Sequence, residues 1–352
     1  MKALVREAVK KLAGYVPGEQ TRTPETVKLN TNENPYPPSP AVAEALAGIA
    51  AAALRLYPDP ASSALRAAVA ALHGTASSRV FVGNGSDEIL ALCTRAFVED
   101  GATIGYFSPS YSLYPVLADI RGAGKQPVEL GPDFEWMEPP PGAASLFFLT
   151  YPNAPTGVAY PRTQIRAFCR AFQGVVVLDE AYADFATENC LDLAGERDNV
   201  LVVRSLSKGY SLAGLRVGYA VGAEPLIDAL HKIKDSYNVD AVAQALALAA
   251  LSDPEHMRAN VERVRATRAK LTEALTGLGF SVTPSQTNFV WVRPAGMGAK
   301  ELFERLRARH ILVRYFPGRR TGDFLRITVG TDPQIHSLLE VLQTMMEGKR
   351  KS

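Results

Sequence analysis

From about residue 80 onward, short apolar runs alternate with segments whose apolar positions recur every three or four residues. The runs at 80–82, 103–106, 146–150, 175–178, 200–203 and 216–221 read as strands. Several are unbroken Val, Leu and Phe, the pattern of strands covered on both faces. Between them, 86–98, 113–120 and 163–172 read as helices. This alternation predicts a three-layer α/β domain around a mainly parallel sheet. Past about residue 223 the rhythm changes. Helical patterns at 225–234, 240–251 and 255–278 lead to an apolar run at 288–292 and a helix at 300–309. Runs at 311–315 and 325–329 and a closing helix at 333–346 complete what reads as a smaller α+β domain. The stretch 15–40 is rich in Pro, Thr and Asn and reads as extended chain suited to lie over a cleft. The expected division is an arm at 1–40, a large domain at 41–255 and a small one at 256–352.

A length of 352 residues agrees with two domains. The balance of 38 basic against 36 acidic side chains removes the basic stripe that a dedicated nucleic-acid binder needs. The longest apolar stretches, 45–54 and 241–251, are about half the ~20 residues of a membrane-spanning helix. Charges interrupt the first residues (Lys2, Arg6, Glu7, Lys10, Lys11), against a secretory signal. Cys93, Cys169 and Cys190 are odd in number and far apart, as expected of free thiols in the cytoplasm. The five histidines fall in no ligand spacing, so no metal site is expected.

Two motifs mislead. GNGSDE at 83–88 begins like a dinucleotide fingerprint, but Glu88 stands where the third glycine must let a helix pack on the sheet. GYSLA at 209–213 half-matches a hydrolase elbow without its last glycine. No GxxxxGK[ST] occurs.

Three elements carry chemistry. The strand–GNGSDE–helix unit, with Gly85 and Ser86, presents free helix N–H groups that accept a phosphate, although Ser86 or Asp87 could merely cap the helix. Asp179 ends the run VVVLD, where open α/β sheets place ligands; burial there calls for a cation such as a protonated pyridine, or else the Asp caps the next turn. Lys208, in SLSKGYSLAGLR at 205–216, sits in a Ser/Gly turn between apolar strands, a poor place for a solvated spectator. Small neighbours admit a flat cofactor there, and a nearby cation would lower the amine's proton affinity for covalent chemistry with a carbonyl.

Phosphate cradle, strand-end acid, turn lysine and a following arginine together meet the needs of pyridoxal phosphate. At this point the chain resembles the fold-type I pyridoxal-phosphate-dependent aminotransferases of class II, the histidinol-phosphate aminotransferases most of all. The resemblance rests on LNTNENP at 29–35, LYPDP at 56–60, GNGSDE at 83–88, PSY at 109–111, PNAPTG at 152–157, DEAY at 179–182, 205–216 and LRITVG at 325–330. It implies that Lys208 carries the cofactor and shuttles the α-proton, and that Asp179 pairs with the pyridine N–H. Asn153 and Tyr182 would bond the ring hydroxyl, and Tyr111 would stack on the ring. Gly85, Ser86, Ser205, Ser207 and Arg216 would hold the phosphate, joined by Tyr57 of a neighbouring subunit, which makes the unit a homodimer. Arg326 would bind the substrate α-carboxylate, and Arg314 with Tyr15 its distal group. Ala154 stands where the family usually has Asn, and the loop 316–323 brings Arg319 and Arg320 as rivals to Arg314. The implied reaction is transamination between histidinol phosphate and 2-oxoglutarate. An aromatic amino-acid aminotransferase is the runner-up, and a threonine-phosphate decarboxylase a third reading. A non-catalytic pyridoxal-phosphate-binding protein and a nicotinamide-dependent dehydrogenase fit the residues less well.

Overall fold

Unbroken β-branched and aromatic runs need cover on both faces. In the computed structural model, which describes residues 4–5, 7–21, 23, 25–137 and 144–350, they build the middle of a seven-stranded sheet. Its spatial order is Val80–Gly83, Gly218–Gly222, Val200–Ser205, Val175–Asp179, Leu146–Thr150, Thr103–Ser108 and Gly124–Glu129. Gly218–Gly222 runs antiparallel to both neighbours, and the other pairings are parallel. Successive side chains feed opposite layers: Val176 and Leu178 join one apolar cluster and Val177 the other. The α/β architecture and mainly parallel sheet are those the sequence predicts.

Three departures have physical causes. The edge strand Gly124–Glu129 escaped notice because one of its faces is exposed and it reads GKQPVE, with no apolar run. The helices Pro40–Ala47 and Ser63–His73 were not anticipated; they pack on Ala241–Leu251. The strand expected from 216 starts at Gly218, because Arg216 has φ +57 and turns the chain just before it.

A second core surrounds an antiparallel sheet in the order Arg314–Tyr315, Leu325–Thr328, Phe289–Arg293, Ser281–Thr283. Val264 and Leu271 of Pro254–Gly277, Leu302 of Ala299–Arg307 and Leu338 of Asp332–Arg350 cover it. The run expected at 311–315 is divided. Ile311–Leu312 pairs in parallel with Val27–Lys28, while Arg314–Tyr315 pairs with Leu325–Thr328. The N-terminal stretch is therefore stitched into this core, with Leu29 fully buried in it. Among the described residues no helix is long and apolar enough to cross a membrane. The three cysteines are free and buried.

Candidate active site

Parallel pairing aligns strand ends, so Thr150 and Asp179 lie side by side where two central strands stop. Asp179 is 3% exposed. Its Oδ1 accepts the Ala181 N–H at 3.2 Å and its Oδ2 accepts the Tyr114 hydroxyl at 2.8 Å. It thus caps the following turn and also faces the cleft. Among the described residues no basic side chain pairs with it, and burial pushes its carboxyl up to about 6. Such a group lacks a cation.

Lys208 follows Val200–Ser205 on the same side of the sheet. Asn34 fixes its loop, donating to the carbonyls of Lys208 and Gly209 at 3.0 and 3.2 Å. The amine lies 3.4 Å from the Thr31 carbonyl and 5.7 Å from the centre of the Tyr182 ring. Burial, then the charge of Arg326, bring it down to about 8. It can therefore lose and regain a proton near neutral pH.

At the other end of the cleft, the helix Gly85–Phe97 begins. Gly85 has φ +78, and a Cβ there would stand 2.6 Å from Arg216 Nη2. The missing side chain is what admits the guanidinium. Arg216 donates to Ser207 Oγ at 3.4 Å and to Asp87 at 3.2 Å. The Asn84 N–H is taken by Glu88, so neither Ser86 nor Asp87 serves as the cap there; both line the cleft with Ser205 and Ser207. Helix N–H groups, hydroxyls and an arginine make a dianion site.

Tyr111 reaches Asp87 with its hydroxyl at 3.1 Å and meets Tyr114 and Tyr15 edge-on. Tyr182 accepts from Asn32 Nδ2 at 2.9 Å. Asn153 requires a correction. It is fully buried, and its amide donates to the Pro109 carbonyl at 3.1 Å and to Thr156 Oγ1 at 2.9 Å. The tight turn closed by Asn153 N–H to Val158 and Gly157 N–H to Asn153 turns the next residue, Ala154, into the cleft instead. Tyr57 lies outside this chain's cleft, 80% exposed and stacked on Tyr237 at 4.4 Å.

Arg314 and Arg326 are direct partners across an antiparallel pair, so both point to one face. Phe316 is shared between them, at 5.1 and 5.2 Å. Arg326 donates to the Asn30 carbonyl at 3.1 Å, and its buried Nε has no hydrogen-bond partner. Arg314 donates to the carbonyls of Pro17 and Val16 at 3.0 and 2.6 Å, which pins the N-terminal stretch beside Tyr15. Two guanidiniums side by side with only carbonyls and rings for company call for an anion. Arg320 is not their rival: it donates to the Leu130 and Gly131 carbonyls, away from the cleft. Arg319 does not line the cleft either.

The cleft has a cavity volume of about 190 Å³. Sequence reasoning missed Thr31, Asn32, Asp87, Tyr114, Thr150 and Phe316. Of these, Asn32 carries a visible signal, an Asn in an Asn/Pro-rich segment that adopts φ +57. A ligand for this cleft has a dianionic end, a protonated nitrogen for Asp179 and a carbon that accepts an amine. Pyridoxal phosphate has all three.

Comparison with known proteins agrees. The family model for aminotransferases of class I and II matches residues 24–342. The histidinol-phosphate aminotransferase of Synechocystis sp. is 45% identical over 346 residues, covering 97% of this chain and 98% of that protein. A second, histidinol-phosphate aminotransferase 1 of Bordetella parapertussis, is 46% identical and covers 94% of this chain and 96% of its own. The crystal structure of histidinol-phosphate aminotransferase from Sinorhizobium meliloti in complex with pyridoxal-5'-phosphate superposes with a TM-score of 0.89 at 25% identity, over 97% and 98% of the two chains. Aspartate aminotransferase from Thermus thermophilus with maleate shares the fold, at TM-score 0.76, 24% identity, and 90% and 91% coverage.

Proposed function

The chain belongs to the aminotransferases of class I and II, and from that premise we propose that it is a histidinol-phosphate aminotransferase of histidine biosynthesis. It uses pyridoxal 5'-phosphate to move the amino group of histidinol phosphate to 2-oxoglutarate, giving imidazole acetol phosphate and glutamate. The carrying observation is the convergence of Lys208, an unpaired Asp179 and the Arg314–Arg326 pair on one cleft.

When bound, the cofactor supplies a protonated ring that draws electrons from the substrate α-carbon. Lys208 would hold it through Nζ. Once that amine is free, with a proton affinity lowered toward neutral, it takes up the substrate α-proton and returns it. Asp179 keeps the ring nitrogen protonated. Ser86, Ser205, Ser207 and Arg216 would hold the phosphate, Gly85 makes room for that arginine, Tyr182 would bond the ring hydroxyl and Tyr111 would stack on the ring.

Substrate choice falls to the arginine pair. Histidinol phosphate has no α-carboxylate, whereas 2-oxoglutarate and glutamate each carry two carboxylates. Arg326, facing Lys208, receives the α-carboxylate; Arg314 with Tyr15 receives phosphate in one half-reaction and the distal carboxylate in the other. Forked guanidinium donors suit either anion. Arg314→Ala is expected to raise KM for histidinol phosphate, at a cost of about 1.5–3 kcal/mol in kcat/KM, while phenylalanine is much less affected. Steady-state kinetics on both amines checks it; equal losses, or a wild-type preference for phenylalanine, favour an aromatic aminotransferase. The broader test is a half-reaction screen of which amines bleach the bound cofactor's absorbance and which oxo acids restore it.

We also propose a homodimer in the cytoplasm, the latter fitting the three free thiols. The segment Ala51–Arg55 buries none of its residues; its Leu54 and the next two residues, Leu56 and Tyr57, are exposed, and Tyr57 stacks on exposed Tyr237. A contiguous apolar surface of this kind asks for cover. The cover is a second copy, whose phosphate site Tyr57 would complete. Leu54→Asp is therefore expected to shift the protein to monomer in sedimentation velocity and to lower its affinity for pyridoxal phosphate.

A further inference from the structure

Asp179 does not stand alone at the strand end; a hydrogen-bond chain that no step above uses leads into it. The Tyr114 hydroxyl lies 2.8 Å from Asp179 Oδ2 and 2.5 Å from Thr150 Oγ1. An ionised carboxylate has no proton to give, so the phenol donates to it. Having one proton, Tyr114 then can only accept from Thr150. The order of donation is fixed: Thr150 to Tyr114 to Asp179. All three side chains are buried, Tyr114 completely. Its ring is stacked on Phe148 at 4.6 Å and met edge-on by Tyr111, which holds the phenol oxygen in place, and burial leaves no bulk water to replace its partners. With the Ala181 N–H on Oδ1, each Asp179 oxygen receives one protein donor. Donors aimed at a buried carboxylate favour its ionised form and weaken it as a base.

We propose that Tyr114, held in its donor role by Thr150, is a positioning residue that keeps the shared proton on the ring nitrogen of pyridoxal phosphate rather than on Asp179. This rests on Asp179 being the ring-nitrogen partner. Tyr114 acts only through Asp179. Deprived of the phenol, Asp179 becomes the stronger base, the proton moves onto its oxygen, and the neutral ring draws electrons less well.

The test uses holoenzyme loaded with cofactor labelled with ¹⁵N in the ring, whose chemical shift reports the proton on that nitrogen. Wild type is expected to show a protonated nitrogen through neutral and mildly alkaline pH. Tyr114→Phe, which keeps the stacked ring, is expected to move the proton balance toward Asp179 by tenfold or more, the weight of a hydrogen bond to a charged group. Thr150→Val is expected to move it the same way by less, and it decides the question alone if Tyr114→Phe does not fold. Asp179→Asn serves as the reference. If it moves the signal while both other variants leave it at the wild-type position, the relay is wrong and the role of Asp179 stands. If Asp179→Asn leaves the signal unmoved, the reading of Asp179 falls and the relay with it. Slower turnover in Tyr114→Phe with an unmoved nitrogen signal also overturns the relay, since packing alone would do that.

Discussion

Lys208→Ala is expected to retain pyridoxal phosphate through its phosphate but to lose transamination by more than about 10⁴-fold, the upper range of a positioned acid–base group. Borohydride treatment of the yellow wild-type protein should fix the cofactor on Lys208, which peptide mapping would locate; the variant should give no such adduct. Retention of full turnover would remove Lys208 from the mechanism. The same lysine has a stability signature in the cofactor-free protein. Its proton affinity falls from 10.5 unfolded to about 8 folded, so between those values the unfolded chain holds more protons. The stability attached to the neutral amine is fully present above 10.5 and is lost as pH falls through about 8. Each pH unit of that shift is worth about 1.4 kcal/mol, which sets an upper limit of about 3 kcal/mol. Lys208→Met keeps the methylene packing and removes the charge, so apo melts should show the variant gaining on wild type at pH 7 and losing that advantage by about pH 10.5. The burial that makes the amine useful makes the empty fold weaker.

The legible part of the fold was the part that must be dry. Strands buried on both faces announce themselves as Val, Leu and Phe runs, so 146–150 and 175–178 were readable nearly to the residue. Gly124–Glu129 was not, since its one exposed face frees it from that constraint. Lys208 and Arg216 stood out for a related reason, as charged groups in a Ser/Gly turn between apolar strands, and Asp179 as a carboxylate ending a buried strand, with a turn cap the rival reading. Geometry between distant segments left no such trace. That Arg314 and Arg326 are opposed follows from an antiparallel register, and their shared Phe316 reads as an ordinary loop aromatic. The confusion of Asn153 with Ala154 has a similar origin. Side-chain direction alternates through a tight turn, and the motif PNAPTG does not say which neighbour points inward. Tyr114, inside the helix Leu113–Arg121, looks like core because it is fully buried; only the polar partners of its hydroxyl set it apart.

Asp179→Asn isolates charge from shape. The amide keeps an oxygen for the Ala181 N–H, so the turn stays capped, and it fills the same volume. It loses the negative charge that holds the ring nitrogen protonated, and its NH2 replaces the oxygen that accepted from Tyr114, so that hydroxyl must turn to donate to Thr150 instead. The amine half-reaction is expected to slow by at least roughly 100-fold, the lower range for removing a positioned electrostatic partner. A two- or three-fold change in single-turnover rate would leave Asp179 a turn cap and nothing more. Stability should move the other way. Burial raises this carboxyl from 3.8 to about 6, so the folded apo protein holds more protons than the unfolded chain between those values. The stability this contributes is complete below pH 3.8 and is lost as pH rises through about 6. At pH 7.5 the empty wild type carries the whole penalty of an unpaired buried carboxylate, at most about 3 kcal/mol by the same conversion. Apo Asp179→Asn should therefore melt higher than apo wild type at pH 7.5, and the two should converge toward pH 4. Binding pyridoxal phosphate should reverse the order at pH 7.5, because its ring cation relieves the wild-type carboxylate and finds no charge in the variant. A reversal on loading is the mark of a charge kept for a ligand; a cap would give the same order in both states.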